Sequence, residues 1–321
     1  MKNYILFAAA ALMLAACSND ENLDNPNGPV ELRLTSGLEV QTRAAHGLNT
    51  QLKNGEEVHV WVDDATTDKE LYADNTLTAG DQGALTGGKT MYFPETGNGV
   101  DIYAIHGNFA QDADFANFWR TEQTHSVAQD QRTEQTTDGY AKSDLVYAKI
   151  QDVKRGQNPT TVNLTFTHLL SKVEVVLVQG AGDPNISKVE ILNTQLEAKF
   201  TPDKTEKNIT VTASGTKAEN PIEIDKDLTD SDDATGTEES LKKLNEAVIV
   251  PQDLDANTPF IRVTLNDGGK LIYKLKEKTT FAPATKYRYT ITANLTELKV
   301  NADITPWDQK TGDDNGTAEM Q

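Results

Sequence analysis

Side chains that could do acid–base or metal chemistry are present in this chain but form no recognised catalytic pattern. The five histidines lie far apart in unlike contexts, at His46, His59, His106, His125 and His168. No HExxH, GxSxG or P-loop sequence occurs. Asp and Glu number 49, which makes any single pair of carboxylates unspecific. We therefore expect a protein that is not an enzyme and needs no cofactor or metal, with His168 as a core residue.

One acidic run could bind a cation. Residues 225–236 are rich in the carboxylate and hydroxyl oxygens that calcium prefers as ligands. The run departs from the EF-hand pattern, because counting from Asp230 the fifth and sixth positions are Ala234 and Thr235. We interpret it as a solvated loop and leave calcium binding as an open alternative.

The single cysteine lies where covalent lipid attachment would occur. Lys2 precedes an apolar stretch, residues 5–16, that is far shorter than the ~20 residues needed to cross a bilayer, so the leader reads as a secretory signal. Residues 14–17, Leu-Ala-Ala-Cys, resemble a bacterial lipobox, in which the cysteine thiol is acylated. A sole cysteine cannot form an internal disulfide. We predict that Cys17 carries lipid and attaches the precursor to the outer membrane.

Length and charge restrict the organisation of the chain. The net charge of −19 argues against nucleic acid and anionic lipid surfaces as partners, since both need a basic patch. After the signal peptide (1–17), residues 18–43 comprise a polar tether and a strand. The remainder suits two domains, which we place at 44–160 and 161–321 because residues 154–159 form a polar turn cluster.

The pattern of apolar residues predicts an all-β fold. One segment, residues 260–276, has two alternating stretches separated by Asn-Asp-Gly-Gly, which predicts a tight β-hairpin. Short β-branched or aromatic runs recur between turn residues, as antiparallel sandwiches require. These runs are 58–62, 100–105, 145–148, 162–178, 186–192, 208–212, 247–250, 260–265, 271–275 and 287–295.

Two strands of similar pattern lie near the two ends of the chain. From Val30 to Val40 every large apolar residue occupies an even position, and the same holds from Leu298 to Ile304. A period of two predicts a strand with one buried face. The tail after Trp307 is too polar to predict a further strand.

Arg43 lies directly after the first of these strands, in the sequence Thr-Arg-Ala-Ala. A cut after Arg43 would break the link between this strand and the rest of the fold. Departure of the strand would leave an apolar groove that the C-terminal strand of another molecule could fill by β-augmentation. Repetition of such a heterologous contact makes a filament. Pattern alone favours the alternative, in which both strands are permanent and Arg43 is an ordinary loop residue.

Taken together, several motifs resemble the Bacteroides-type fimbrillins, subunits of lipoprotein-derived type V pili. The more specific of them is Phe166-x-His168-x-x-Ser171-Lys172. Others extend the resemblance over nearly the whole precursor, at residues 14–17, 42–44, 54–60, 142–148, 162–175, 281–287 and 304–307.

The resemblance implies two transthyretin-like antiparallel β-sandwich domains in tandem and a location on the cell surface. It also implies lipid on Cys17 during transport, cleavage between Arg43 and Ala44 by an arginine-specific protease, and head-to-tail polymerisation with other pilin subunits by donor-strand exchange. The donor-strand candidates are Leu298, Val300, Ala302, Ile304 and Trp307. A shaft subunit is favoured, with a tip adhesin or an uncleaved anchor as alternatives.

A surface lipoprotein that binds glycans is the second function considered. It would present aromatic side chains such as Trp119 and Tyr103 on an exposed, coplanar platform. A strand before Arg43 that covers an apolar groove would favour the pilus subunit instead.

Overall fold

The computed structural model describes residues 28–38, 52–110, 113–133, 139–182, 184–217, 221–229, 245–294, 297–306 and 313–318. Strands dominate these residues, so the fold class is all-β as predicted. The described helices are a four-residue α-helix, α1 (Gly139–Lys142), and two 3₁₀ helices, Asp81–Gly83 and Phe115–Arg120. None of the helices in this part of the chain is long and apolar enough to cross a bilayer.

Among the described residues, nine strands precede residue 170. They are β1 (Glu31–Leu38), β2 (Glu57–Asp64), β3 (Glu70–Ala79), β4 (Ala84–Thr86), β5 (Met91–Tyr92), β6 (Val100–His106), β7 (Gln123–Ser126), β8 (Val146–Val153) and β9 (Thr160–His168).

Fourteen strands follow in the described part of the chain. They are β10 (Ser171–Gln179), β11 (Ile186–Ile191), β12 (Glu197–Phe200), β13 (Thr212–Ser214), β14 (Ile222–Ile224), β15 (Leu228–Thr229), β16 (Asn245–Ile249), β17 (Gln252–Leu254), β18 (Pro259–Leu265), β19 (Lys270–Lys274), β20 (Thr279–Phe281), β21 (Thr285–Ala293), β22 (Leu298–Pro306) and β23 (Asp313–Ala318).

Each predicted apolar run overlaps an observed strand, although the run 208–212 does so only at Thr212. The predicted hairpin is confirmed, since β18 and β19 pair antiparallel around the Asn-Asp-Gly-Gly turn. Gly268 has φ +89°, a conformation that a side chain would disfavour. The Asp267 carboxylate accepts a hydrogen bond from the Gly269 amide at 2.9 Å. The Asp267 side chain therefore stabilises the backbone of the turn, as Asp commonly does in tight turns.

The first sheet closes on itself. Its strands follow the order β4-β3-β2-β6-β8-β9-β1-β5, and β1 also pairs with β4. Alternate residues enter an apolar interior, for example Val60, Ile102 and Leu164, which are at most 1% exposed. Their neighbours in sequence lie on the outer face, as the period of two in β-strands dictates.

The second half forms a sandwich. β10 pairs with β21 in parallel and with β16 antiparallel, and β22 and β23 extend this sheet beyond β21. A separate sheet, β14-β11-β18-β19, faces it. Val175, Ile191 and Phe260 are fully buried in one hydrophobic cluster that includes residues of both sheets.

The chain passes from the first sheet to the second between β9 and β10. β9 follows the predicted domain division near residue 160, and its partners are β1 and β8 of the first sheet. β10 is the first strand of the second sheet. The position of a domain boundary stays a prediction.

Contacts between the two halves are extensive. β7 pairs antiparallel with β12, which joins a strand of each half in a small sheet. The Lys207 ammonium lies 5.2 Å from the ring centre of Tyr103 and 4.6 Å from that of Trp119, and it pairs with the Asp63 carboxylate at 3.1 Å. These are cation–π contacts, which stabilise most when they are shielded from water. The halves therefore pack as one structure through this layer.

His125 lies in the same layer and is fully buried. Its Nδ1 accepts a hydrogen bond from the Asn108 amide at 2.9 Å, and its Nε2 lies 2.9 Å from the Ser143 carbonyl oxygen, to which it donates. Both bonds suit the neutral ring. Burial lowers the pKa of His125 to about 4, although the Ser143 carbonyl and Asp144 oppose that shift.

Leu164→Ala should destabilise the protein by about 2–5 kcal/mol, because it leaves a cavity in the interior of the first sheet. Thr165→Ala, the exposed neighbour on the same strand, is the matched control and should change the free energy of unfolding by less than about 1 kcal/mol. Urea denaturation measures both. Equal effects of the two substitutions would contradict the assignment of the β9 faces.

His125 should contribute to a fall in the free energy of unfolding as the pH drops from about 6.5 to about 4. The folded-state pKa lies below the ordinary value, so the unfolded state binds the proton first and the stability is lost on acidification. The loss attributable to this group is on the order of 3 kcal/mol. His125→Gln should show a shallower decline in urea titrations over this range; an unchanged slope would refute the role of the ring.

Candidate subunit-assembly site

β1 occupies an interior position of the first sheet. One of its edges pairs in parallel with β9, from Leu32 opposite Thr160 to Leu38 opposite Phe166. The other edge pairs antiparallel with β4 and β5. The strand therefore has hydrogen-bonded neighbours on both sides, and the closed sheet depends on it for continuity.

Val30 and the even-numbered residues of β1 from Leu32 to Ser36 face the interior, as predicted. Val30, Leu32 and Leu34 are 6%, 2% and 2% exposed, and Ser36 is 3% exposed. The Ser36 hydroxyl donates a hydrogen bond to the Gly83 carbonyl at 3.2 Å, which satisfies the one polar group in the series. Arg33, at an odd position, is exposed. β1 thus fills an apolar groove between β9 and the β4–β5 edge.

Polar contacts fix the beginning of β1. The Glu31 amide donates to the Asn158 side-chain oxygen at 3.1 Å, and the Phe93 amide donates to the Val30 carbonyl at 3.0 Å. The Arg155 guanidinium donates to the Gly28 carbonyl. These bonds hold the strand independently of the connection that follows it.

The predicted processing site lies outside the described residues. Cys17, Arg43 and Ala44 all belong to segments whose structure is not described. The described chain resumes at Leu52, which is buried in the same apolar interior as β1. Arg43 therefore lies in the connection, residues 39–51, that joins β1 covalently to the rest of the sheet.

The predicted C-terminal strand is present as β22, where it pairs with β21 over nine residue pairs. Leu298 and Val300 are each 1% exposed and belong to the core of the second half. Ala302 is partly buried, and Ile304 is 56% exposed. The even-numbered apolar residues of β22 are thus covered only as far as Ala302, where the packed core ends. Trp307, the remaining donor-strand candidate, lies outside the described residues.

The polar tail contains a strand that composition did not predict. β23 pairs antiparallel with β22 over six residue pairs, and its sequence is Asp-Asp-Asn-Gly-Thr-Ala. An outer strand needs only backbone hydrogen bonds on one side, so it can form without an apolar face.

The most specific motif of the sequence folds at the junction of the two halves. His168, confirmed as a core residue, is 3% exposed and its Nδ1 lies 2.9 Å from the Asp144 carboxylate. The Ser171 hydroxyl donates to the Ala282 carbonyl at 2.7 Å. Lys172 is 2% exposed. These side chains bind other parts of the fold, which indicates a structural role for the motif.

Lys172 belongs to a buried group of charges on β10, β16 and β21. Its ammonium lies 2.6 Å from Glu246 and 3.3 Å from Glu174, and Arg288 pairs with Glu174 at 2.7 Å. Burial alone would lower the pKa of Lys172, but the carboxylates of Glu246 and Glu174 outweigh burial and raise it. The same ion pairs lower the pKa of Glu174 against the opposing effect of burial. Sequence inspection did not identify Glu246 or Arg288 as partners, since they lie far along the chain.

Burial outweighs the nearby carboxylate at a fifth member of this group and lowers its pKa. Lys286 is 7% exposed and lies 3.7 Å from Glu174. Burial lowers its pKa to about 8, although the Glu174 carboxylate favours the charged form. Pairing thus outweighs the loss of water at Lys172 and Glu174 but not at Lys286.

The aromatic platform predicted for glycan binding is absent at Trp119 and Tyr103. These side chains are 6% and 3% exposed, and their rings meet edge to face with centres 5.5 Å apart. The alternative of an exposed, coplanar platform therefore fails at this pair, because both rings pack in the layer between the two halves and under Lys207.

The acidic run 225–236 is described only up to residue 229. There the Asp225 carboxylate accepts hydrogen bonds from the Thr133 amide and hydroxyl, the latter at 2.7 Å. Across the described segments, no group of three His, Cys, Asp or Glu side chains could hold a metal ion. Calcium binding by the rest of the run stays untested.

Solved structures share this fold. A candidate cell adhesion protein from Bacteroides uniformis superimposes with a TM-score of 0.55 at 20% identity, covering 87% of this chain and 99% of that one. A second, from Bacteroides ovatus, gives a TM-score of 0.59 at 15% identity, covering 88% and 99%. The tip fimbrial protein Mfa3 from Porphyromonas gingivalis, with a C-terminal truncation, gives 0.50 at 13%, covering 87% and 100%.

Sequence comparison identifies the family. No curated protein sequence shows significant similarity to the chain. The sequence model of the fimbrillin-like proteins, however, matches residues 42–307, which is most of the chain. The resemblance drawn from the motifs is thereby confirmed, and the chain belongs to the fimbrillin-like family.

Proposed function

We propose that this protein is a shaft subunit of a cell-surface pilus, made as a lipoprotein, cut after Arg43, and polymerised when a donor strand from another subunit replaces β1. The family consists of structural fimbrial subunits and not of enzymes, which supports the coarser part of this assignment.

The observation that carries the proposal is the position of β1. It is an interior strand that, together with Val30 directly before it, buries three apolar side chains in the sheet, yet its downstream connection contains Arg43. The family match begins at residue 42, after β1. A strand that completes a core and is joined to it covalently only through the connection containing Arg43 is suited to replacement once that connection is cut.

Burial of Val30, Leu32 and Leu34 sets the scale of the exchange. At about 1.5–3 kcal/mol each, the gross gain from filling the groove is roughly 5–9 kcal/mol before the cost of ordering the incoming strand. Main-chain bonds to β9 on one side and to β4 and β5 on the other would add to it. Such a joint would persist, and because it is heterologous it would continue into a filament.

The finer features of the proposal come from the resemblance to fimbrillins and from the lipobox-like residues 14–17. The two halves would be transthyretin-like sandwich domains, and lipid on Cys17 would attach the precursor to the outer membrane until the protease acts. The donor would come from the segment 298–307. Ile304 supports this choice, because an exposed apolar residue on an otherwise paired strand is available to another molecule.

Treatment of the purified precursor with an arginine-specific protease should give a new N-terminus at Ala44, followed by SDS-resistant ladders. Arg43→Ala should stay uncut and monomeric. Arg33→Ala, a change of an exposed arginine within β1 itself, is the matched control and should be processed like the wild type. N-terminal sequencing and gel electrophoresis provide the measurements. Clean cleavage at Ala44 without oligomers under assembly conditions would contradict the shaft assignment.

A synthetic peptide of residues 297–307 should displace the N-terminal fragment from the cleaved protein, because its even-numbered apolar residues can replace those of β1. The same peptide with Val300→Asp should bind at least about tenfold more weakly, since a carboxylate would enter an apolar groove. Fluorescence anisotropy of the labelled peptide and mass spectrometry of the released fragment measure the exchange. Equal binding of the two peptides would exclude this segment as the donor.

A further inference from the structure

A cleft of about 510 Å³ opens at one end of the first sheet. It lies where β2 begins and β6 ends, and it is also lined by Phe109, by Phe115 of the second 3₁₀ helix and by Lys142 of α1. A volume of this size is typical of small-molecule sites. Every lining residue follows Arg43 in the sequence, so the cleft would belong to the precursor and to the cut subunit alike.

Three rings form a rigid apolar wall of the cleft. His59 stacks on Phe115 with ring centres 3.4 Å apart, and Phe109 meets Phe115 edge to face at 5.1 Å. The Asp74 carboxylate lies 2.8 Å from His59 Nδ1 and fixes the imidazole. Both phenylalanines are only partly buried, unlike Phe118 behind them. The wall therefore presents apolar surface to the cleft without rearrangement.

The polar groups of the cleft are mainly acceptors. Asn108 donates its amide N–H to the Ser126 carbonyl at 3.0 Å, and Asn54 donates to Asp81. Among the described residues, the side-chain oxygens of Asn54 and Asn108 accept no hydrogen bond, so each can accept one from a ligand. The Glu56 carboxylate accepts from the Lys53 amide at 2.8 Å and retains lone pairs on its other oxygen.

One donor and one further acceptor complete the lining. The ammonium of Lys142 is exposed at the edge of the cleft and is the donor. His106 donates from Nδ1 to the Glu57 carbonyl at 2.8 Å, so in the neutral ring its Nε2, 3.8 Å from the Glu56 carboxylate, is an acceptor. An apolar wall opposite several acceptors and one flexible cation matches a molecule with one C–H face and several hydroxyl groups.

We propose that this cleft binds a pyranose residue of a carbohydrate. The C–H face of the sugar would pack on Phe109, with Phe115 beside it at right angles, because two perpendicular rings cannot both stack on one sugar face. Its hydroxyl groups would donate to the oxygens of Asn54, Asn108 and Glu56 and accept from Lys142. A peptide fits less well, since its backbone offers one donor and one acceptor per residue and no ring of hydroxyl groups. The site is separate from β1 and its groove, so sugar binding and strand exchange are independent properties.

Glucose, galactose, mannose and N-acetylglucosamine, titrated into the isotopically labelled precursor, are the probes. At least one should shift NMR resonances of the cleft residues with a Kd on the order of 1–10 mM, the range expected for a single sugar ring. Sorbitol, which has the hydroxyl groups but no ring, should bind at least about tenfold more weakly than the best sugar.

Two substitutions with matched controls test the location. Ala110→Trp fills the mouth of the cleft from an exposed lining position and should weaken sugar binding at least about tenfold. Ala256→Trp, in an exposed turn of the second half, is its control and should not weaken binding.

Lys142→Gln removes the ammonium at the edge of the cleft and should weaken sugar binding about fivefold. Lys204→Gln, an equal change of charge at an exposed lysine outside the lining, is its control and should have no effect.

Thermal unfolding of each variant verifies that the fold is intact. No sugar-induced shift up to 100-fold excess over protein, shifts that map away from the cleft, or equal binding by Ala110→Trp would overturn the proposal. Sorbitol binding equal to that of the sugars would also overturn it, because the ring wall would then contribute nothing.

Discussion

The pairing of β1 between β9 and the β4–β5 edge is the interaction on which the first half of the structure depends. Eight residues complete a closed sheet, and their buried face completes its core. Without this strand two rows of backbone groups and an apolar groove would face water, which is unfavourable for both kinds of group. The proposed exchange rests on the same requirement, because an incoming strand would have to supply the same backbone hydrogen bonds and the same buried apolar face.

The second half is stabilised differently. Its sandwich core is apolar, but on the other face of β10 a group of buried ion pairs joins strands that are distant in sequence. Removing one partner of such a pair leaves a buried charge, so the group specifies which strands may lie together. Lys207, placed over two aromatic rings of the first half, adds a polar contact between halves.

The cleft near Phe109 and Phe115 changes how the aromatic residues are understood. Residues 115–119 contribute three aromatic side chains, but only Phe115 lines the cleft, because Phe118 and Trp119 pack inside. A pilus subunit with a small-molecule site on its side would present that site many times along a filament. Weak single contacts would then combine into strong attachment through multivalency.

Alternation of apolar and polar residues was sufficient to predict the all-β class, the 260–276 hairpin and the buried face of β1, because these properties depend on neighbours two residues apart. The motifs were sufficient to predict the family. Alternation could not predict which strands pair with one another. The parallel pairing of β1 with β9 joins residues more than 120 positions apart, and several registers of pairing satisfy the same alternation. The exposure of Ile304 and the burial of Trp119 likewise depend on which surfaces the tertiary fold covers, and that information is not present in any local pattern of residues.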